Sequence, residues 1–155
     1  YPIDTSFWAT APDHDIALIN AVTNKRPEPI NFRIVTEPLR AGDEVKLLGL
    51  RDHTPYNQYG KVVLGDYDAS INDPRTGQVH SIAQDTFLTD SYGVPGFSGG
   101  VFTDLHGGFA GLVLYIQKDG IGEIGEAGGA KVKHIVQLVM ESAYVLGRTQ
   151  LAVKR

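Results

Sequence analysis

Cysteine is absent from this 155-residue chain. Disulfide bonds and thiolate metal sites are therefore excluded within it, and its stability must come from packing. Long apolar runs are also missing, and none approaches the ~20 residues that a membrane-spanning helix needs. No signal-peptide pattern follows Tyr1, so we expect a soluble protein whose compartment the sequence does not indicate.

Charge of one sign is not in large excess either. The 14 Lys and Arg residues stand against 18 Asp and Glu residues, which gives a net charge of −4 with the two signs interspersed. This balance does not favour nucleic acid or an anionic membrane as a partner. The five histidines are scattered without the spacing of metal ligands, so we expect neither a metal nor another cofactor.

Most of the sequence has the pattern of short β-strands separated by turns, within a length typical of one domain. Segments rich in β-branched, aromatic or leucine residues predict strands at residues 16–21, 45–50, 59–64, 81–88 and 109–116. Apolar residues then recur at helical spacing from Val132 to Leu146, which predicts one C-terminal helix that stops at Gly147. Between the last strand and this helix we expect a mobile surface loop over residues 119–130.

Residues 96–100, Gly-Phe-Ser-Gly-Gly, form the most informative segment. Glycines on both sides of Ser98 tolerate positive φ and let a substrate approach the backbone. The N–H groups of such a turn can converge on one point and stabilise an oxyanion during acyl transfer. The motif is also compatible with a glycine-rich hairpin whose serine has no catalytic role, and context must decide between the two.

Several other segments supply that context. Asp15 begins Asp-Ile-Ala-Leu ahead of a predicted strand, although an aspartate there could also belong to a simple turn. Residues 42–45 read Gly-Asp-Glu-Val, and Asp90 precedes Ser98 by eight residues (98 − 90 = 8). Together, and in this order, these segments resemble the chymotrypsin-fold, trypsin-like serine proteases. The closest likeness is to the HtrA/Deg-type group, and it covers nearly the whole chain.

The resemblance implies a mostly β protein. We expect a six-stranded Greek-key barrel, equivalent to the second barrel of such a protease plus about the last strand of the first, followed by a C-terminal α-helix. In these terms residues 1–23 are a remnant of the first barrel and residues 24–40 are the connector. Residues 41–147 are the second barrel with the nucleophile loop and the helix, and residues 148–155 are a tail.

The resemblance also implies roles for individual residues. Ser98 matches the catalytic nucleophile, Asp15 matches the aspartate that orients a histidine, and the N–H groups of Gly96 and Ser98 match the oxyanion hole. Phe97 departs from the family pattern, which usually has Asp or Asn before the serine, and this predicts a less firmly held loop. The specificity pocket would be lined by Ser91, Tyr92, Leu114 and Tyr115.

No histidine of this chain matches the general base of the family, which lies several strands before the aspartate. His14 is the only histidine before Asp15, and adjacent side chains on a strand point to opposite faces. The other four fall in the second barrel: His53, His80, His106 and His134. We therefore expect the isolated chain to be nearly inactive, because the residues of a triad act as a unit.

Two functional hypotheses follow. In the first, the chain is part of a serine endopeptidase that acts on polypeptides, and an N-terminal segment or a partner chain supplies the missing strands and the histidine. In the second, it is a degenerate protease-like domain that acts as a scaffold or peptide-binding module. Residues 1–10 resemble a first-barrel strand without neighbours, and an unpaired edge favours a bound partner segment or self-association.

A further motif, Gly120 to Gly125, has the G-x-G-x-x-G spacing of a dinucleotide-binding loop. Three residues separate it from the preceding predicted strand, and Glu123 and Glu126 would place negative charge beside a phosphate. No further strand follows the helix to complete a βαβ unit. We therefore disfavour nucleotide binding.

Overall fold

In a computed structural model, the described part of the chain, residues 3–21, 33–72, 75–117 and 125–153, consists of eight strands, a 3₁₀ turn and one long helix. The helix, α1, spans Val132–Val153. The strands are β1 Ile3–Ala11, β2 Ile16–Ala21, β3 Glu44–Arg51, β4 Thr54–Asn72, β5 Val79–Gly93, β6 Val101–Thr103, β7 Phe109–Gln117 and β8 Gly125–Lys131. No helix in these ranges is both long and apolar enough to cross a membrane.

Strands β3 to β8 form a closed antiparallel barrel in the order β3-β4-β5-β8-β7-β6, with β6 pairing back onto β3. This order is a Greek key, because the last strand in sequence inserts between β5 and β7. The predicted six-stranded Greek-key barrel with a C-terminal helix is therefore confirmed. Closure removes the unpaired edges that an open sheet of these strands would present.

Alternation along the strands fills the barrel interior. On β3, Val45 and Leu47 are fully buried, while Leu48 and Leu50, which lie on the opposite face of the strand, are exposed. The aromatic centre of the core is formed by Phe87 of β5 and Phe102 of β6, whose ring centroids lie 5.0 Å apart in an edge-to-face arrangement. The rest of this core consists of Val45, Leu47, Val62, Phe97, Ala110, Val113 and Ala127.

Strands β1 and β2 form a separate two-stranded sheet joined by the 3₁₀ turn Pro12–His14. Their register pairs Ala11 with Ile16 at the turn end. The hairpin is held to the barrel by a second apolar cluster, in which Ile16 packs with Ala130 of β8 and Leu138 of α1. The chain therefore places the residue after Asp15 against the last strand of the barrel.

The predicted loop over residues 119–130 is wrong from Gly125 onward, because this segment is strand β8. Its sequence, Gly-Glu-Ala-Gly-Gly-Ala-Lys, lacks the β-branched and aromatic residues that signal a strand. The glycines are required by the core: an ideal Cβ on Gly128 would stand 2.1 Å from Tyr115 Cζ, and one on Gly129 would stand 2.9 Å from Phe102 Cε2. Residues 119–124 lie outside the described residues.

The predicted helix stop at Gly147 is also wrong, because α1 continues to Val153 and includes most of the segment expected to be a tail. One glycine inside a helix costs only about 1 kcal/mol relative to alanine. The residues that follow it, Arg-Thr-Gln-Leu-Ala-Val, contain no proline and no second glycine. Without such a signal the helix is not terminated.

The five predicted strands are all present, and β4 and β5 are longer than predicted. Residues 54–58 and 65–72 belong to β4 although they contain Pro55, Asn57 and Gly65, because residues 54–61 pair with β3 and residues 62–72 pair with β5. Pairing with a neighbouring strand overrides weak intrinsic propensity. Of the expected connector, residues 24–32 lie outside the described residues, and Ile34 makes an isolated parallel bridge to Phe109.

Candidate active site

Ser98 lies in the turn that connects β5 to β6. Two backbone hydrogen bonds close this turn, from Phe97 N to Val94 O at 3.2 Å and from Gly100 N to Phe97 O at 2.9 Å. A third bond, from Gly99 N to Val113 O at 2.8 Å, ties the turn to β7. Gly96 and Gly99 adopt φ values of 104° and 88°, a region that residues with side chains rarely enter.

Two N–H groups of this turn are left available. In the part of the chain that the structure describes, the backbone N–H groups of Gly96 and Ser98 donate to no acceptor, whereas those of Phe97, Gly99 and Gly100 are all bonded. The Ser98 hydroxyl is exposed and donates to the carbonyl oxygen of Leu114 at 3.3 Å. The turn thus presents a hydroxyl and two unused backbone donors at the surface.

Phe97 anchors the turn, contrary to the expectation of a loosely held loop. Its side chain is only 3% exposed and belongs to the barrel core. The ring packs against Gly49 of β3 and lies 5.6 Å from the ring of Tyr56 on β4, centroid to centroid. At this position the turn is therefore held by burial of an apolar ring in the barrel core, and not by hydrogen bonds of a polar side chain.

Asp15 follows the 3₁₀ turn and adopts a left-handed backbone with φ of 54°. Its N–H donates to Pro12 O at 3.2 Å, and its exposed carboxylate has no hydrogen-bond or ion-pair partner in the described ranges. Leu114 links this turn to Ser98: its carbonyl accepts the Ser98 hydrogen bond, and its side chain packs against the cluster that contains Ile16. Leu114 of β7 therefore contacts both Ser98 and the apolar cluster that contains the residue after Asp15.

The four predicted pocket residues are not equally accessible. Ser91 is 2% exposed, and its hydroxyl is buried without a hydrogen-bond partner among the described residues. Tyr115 is 7% exposed, and its hydroxyl bonds to Thr86 Oγ1 at 2.9 Å and to Phe87 O at 3.2 Å. Burial raises the pKa of Tyr115 to about 12. Tyr92 is largely exposed and Leu114 is half-buried, so these two remain at the surface.

All five histidines lie within the described ranges, and none is bonded to the Ser98 hydroxyl. His53 lies in the β3–β4 hairpin turn and His80 is exposed at the start of β5. The backbone N–H of His106 donates to Asp104 in the β6–β7 turn. His14 and His134 stack on each other at the base of the Asp15 turn. In the same ranges no three His, Asp or Glu side chains form a group that could hold a metal ion.

The contact between His14 and His134 could not be predicted from the sequence. The partner of His134, Asp85, is 49 positions away in the chain, and the partner of His14, Gln84, is 70 positions away. No local pattern connects residues at such separations. The only available signal was the unusual placement of a histidine immediately before the candidate catalytic aspartate.

No protein-family model matches the sequence, and no curated protein matches it. Solved structures of proteases do match its fold. The active form of Rv3671c protease from M. tuberculosis is 21% identical, with a TM-score of 0.64 over 86% of this chain. The HtrA-type protease AlgW with a decapeptide is 20% identical (TM-score 0.61, 86% of this chain). The apo MamO protease domain from Magnetospirillum magneticum is 20% identical (TM-score 0.60, 83% of this chain).

The chain spans only part of each of these structures: 56% of the Rv3671c chain, 38% of the AlgW chain and 64% of the MamO chain. The match covers most of the present chain, including the barrel that carries Ser98. This chain therefore has the fold of the trypsin-like, HtrA-related serine proteases.

Proposed function

We propose that this chain is the C-terminal part of a trypsin-like serine endopeptidase, with Ser98 as the nucleophile. One observation carries the proposal: Ser98 stands on an exposed turn beside two backbone N–H groups, its own and that of Gly96, that donate to no acceptor in the described residues. Both residues are exposed, so their N–H groups are open to a bound substrate. An unused pair beside a serine hydroxyl is the arrangement that stabilises the oxyanion of acyl transfer.

In the proposed reaction, Ser98 Oγ attacks the carbonyl carbon of the scissile peptide bond while a histidine removes the hydroxyl proton. The carbonyl oxygen gains negative charge and accepts hydrogen bonds from Gly96 and Ser98 N–H. The histidine then protonates the leaving amine, the C–N bond breaks, and an acyl ester remains on Ser98. Water, deprotonated by the same histidine, hydrolyses the ester and restores the hydroxyl.

Asp15 orients this histidine and stabilises its charged form. Its carboxylate is exposed and without a partner in the described ranges, so it is available for that contact. The histidine belongs to a segment outside this chain or to another chain, because none of the five histidines here bonds to Ser98. The isolated chain is then close to inert, as sequence reasoning also predicts.

The β1–β2 hairpin is the place where such a segment would join. In the described ranges β1 pairs only with β2, so each strand has one unpaired edge, whereas every barrel strand has two neighbours. An unpaired edge offers a row of backbone donors and acceptors to another strand. A segment that adds there would enter next to Asp15, which lies at the turn of the same hairpin.

The substrate class is a polypeptide. The AlgW protease has been solved with a decapeptide and with a tripeptide. In the present chain, Tyr92 and Leu114 are the two pocket residues at the surface, and neither carries a charge. A small or apolar side chain at the cleavage position is the preference that these residues favour.

The test is the reaction of the natively purified protein with a fluorophosphonate probe, which phosphonylates an activated serine and releases fluoride. Intact mass and peptide mapping should find one adduct, on Ser98. It should disappear in Ser98→Ala and persist in Ser70→Ala, since Ser70 is an exposed strand serine of β4. Failure to label the purified protein would overturn the endopeptidase assignment, and rapid labelling of the 155-residue chain by itself would overturn the need for an external histidine.

A degenerate, peptide-binding domain is the second candidate, and the absence of a histidine bonded to Ser98 in the described chain favours it. This candidate predicts that peptides bind at the Ser98 turn without turnover. Isothermal titration with a peptide library, repeated on Ser98→Ala, would then give unchanged affinity, while the fluorophosphonate gives no adduct.

A further inference from the structure

The turn that carries Asp15 is fastened to the barrel through the residue before it. His14 Nδ1 lies 3.1 Å from the carbonyl oxygen of Gln84 on β5. The His14 ring also stacks face to face on the ring of His134, with centroids 3.5 Å apart and an interplanar angle of 10°. His134 Nε2 in turn lies 2.8 Å from Asp85 Oδ2. Three elements, the 3₁₀ turn, β5 and α1, meet in this contact.

The hydrogen-bond partners fix which nitrogen of each ring carries a proton. A backbone carbonyl only accepts, so His14 Nδ1 donates to Gln84 O. An ionised carboxylate also only accepts, so His134 Nε2 donates to Asp85. A neutral imidazole carries one N–H, and this one N–H is enough for each of the two hydrogen bonds. An additional proton on either ring adds charge to the stack without adding either of these hydrogen bonds.

Asp85, the carboxylate that contacts the stacked pair, is also in contact with two lysines. Lys131 of β8 contacts Asp85 Oδ1 at 2.5 Å and also bonds to Asp66, and Lys133 of α1 contacts Asp85 Oδ2 at 2.9 Å. Asp85 is therefore already shared by two lysines and His134. The remaining carboxylates beside the pair are Asp13 and Asp15 of the turn itself, and Asp68, which accepts the Asp85 N–H.

This arrangement disfavours charge on the stack. Burial, with His14 and Lys133 nearby, lowers the pKa of His134 below its ordinary value, and the hydrogen bond to Asp85 opposes this only in part. Two imidazolium rings at 3.5 Å would repel each other directly. The contact is thus formed near neutral pH and weakened in acid.

Asp15 depends on this contact for its position. Its backbone is in the left-handed region, and its carboxylate has no partner in the described ranges that could hold it independently. Within the turn, the Asp15 N–H donates to Pro12 O, and the turn is fixed to the rest of the fold by the His14 contacts and by the burial of Ile16. A loss of the His14 anchor removes the fixed point that immediately precedes Asp15.

We propose that His134 and Asp85 are positioning residues, which hold Asp15 in place through His14 and release it when His134 becomes charged. The consequence for catalysis rests on the proposed function, since it requires Asp15 to orient a catalytic histidine. The site would then lose activity in acid by two routes: protonation of its general base and displacement of Asp15.

The first test follows the position of Asp15 without any catalysis. In ¹H–¹⁵N spectra of the protein from pH 8 to pH 5, the Asp15 amide should shift together with the ring signals of His134. In His134→Gln this shift of the Asp15 amide should be lost. His80→Gln is the matched control, because His80 is an exposed β5 histidine outside the cluster, and it should leave the shift intact.

The second test uses the rate of fluorophosphonate labelling at Ser98. In the unmodified protein, the logarithm of the rate should fall with a slope steeper than 1 per pH unit on the acid side. In His134→Gln the slope should return to 1, the value for the general base alone. A variant that merely unfolds would lower the rate at every pH. Its unfolding would be detected by far-ultraviolet circular dichroism at each pH.

The two tests separate the two claims. An Asp15 amide that shifts identically in the unmodified protein and in His134→Gln would overturn the positioning role. Loss of that shift in His134→Gln, with no labelling of Ser98 at any pH, would support the positioning role and overturn the proposed endopeptidase.

Discussion

The ring of Tyr115 occupies the space that a side chain at position 128 would need. The two residues are paired across β7 and β8, and an ideal Cβ on Gly128 would stand 2.1 Å from Tyr115 Cζ and 2.4 Å from its hydroxyl oxygen. Tyr115 cannot easily move away, because its hydroxyl is bonded to Thr86 and to the carbonyl of Phe87. A glycine of β8 and a tyrosine of β7 thus form one packing unit.

Gly128→Ala should destabilise the fold by about 1–3 kcal/mol, the usual cost of overpacking a filled core. The added methyl group would push the Tyr115 ring away from Thr86 and strain the β7–β8 pairing. Urea unfolding followed by fluorescence measures the change. Ser81→Ala, at an exposed position of β5, is the control and should leave the midpoint unchanged. Equal midpoints for Gly128→Ala and the unmodified chain would contradict the packing.

Tyr115→Phe should destabilise the fold by about 1 kcal/mol, the net value of a typical buried hydrogen bond. The loss stays small because Thr86 Oγ1 keeps its bond to the carbonyl of Tyr67 at 2.7 Å. An ultraviolet titration of the folded protein supplies an independent check. One tyrosine should ionise near pH 12, because burial raises the pKa of Tyr115 to about 12, and this step should vanish in the variant. Tyr59→Phe, at an exposed position, should change neither the free energy of unfolding nor the step near pH 12.

Phe97→Ala should destabilise the fold by about 3–5 kcal/mol, as for other buried phenylalanines. Phe97→Leu should lose less, because it refills part of the space beside Gly49 and Tyr56. The same order should appear in the rate of Ser98 labelling, since the turn is held by this ring. Thermal unfolding and labelling rates, compared with the exposed control Leu105→Ala, measure both effects. A stable Phe97→Ala variant would mean that the turn is held by its hydrogen bonds instead.

The free energy of unfolding should fall as the pH drops below about 6.5 because of His134. Its pKa is lowered in the folded chain from the ordinary 6.5, so the unfolded chain binds the extra proton first. Stability from this group is therefore complete above pH 6.5 and is lost progressively below it. Urea unfolding between pH 8 and pH 5 measures the slope, and His134→Gln should flatten it. A slope that is unchanged in the variant would assign the effect to other groups.

Asp85→Asn should destabilise the fold at neutral pH, and the difference from the unmodified protein should shrink in acid. Burial raises the pKa of this carboxyl, but hydrogen bonds from Lys131, Lys133 and His134 together lower it below the ordinary 3.8. Its stabilising effect is therefore present above pH 3.8 and lost as the pH falls towards the lowered value. Asparagine tolerates the left-handed backbone at this position, where φ is 52°, so the variant removes the charge and one acceptor oxygen without straining the backbone. A constant difference from pH 7 to pH 3 would contradict this origin.

The order of the strands was expected only from the resemblance to the protease family. The positions of most strands could be predicted from the sequence, because their segments are rich in β-branched, aromatic or leucine residues. Strand β8 could not, since Gly128 and Gly129 serve the packing of rings on other strands and carry no strand signal themselves. The prediction of the end of α1 was wrong for a different reason. Gly147 resembles a helix stop locally, but one glycine does not outweigh the helix-compatible residues that follow.

The Ser98 turn was predictable from its glycines, because positive φ at Gly96 and Gly99 leaves few other residue choices. The accessibility of the four predicted pocket residues was not taken into account, although strand geometry limits it. Ser91 and Tyr92 are adjacent on β5, as are Leu114 and Tyr115 on β7, and adjacent strand residues face opposite sides. One residue of each pair therefore had to point into the barrel, and in both pairs the structure identifies it.

Strand β8 completes the barrel from the middle, between β5 and β7, although it is the last strand of the chain. The barrel therefore cannot close until synthesis has passed Lys131, and its pairings join residues far apart in sequence, which slows folding. Before that moment β5 and β7 each expose an unpaired edge to other nascent chains. Newly made chains, rather than finished molecules, should then be the main source of aggregation, and co-expressed chaperones should raise the yield more than any stabilising surface substitution.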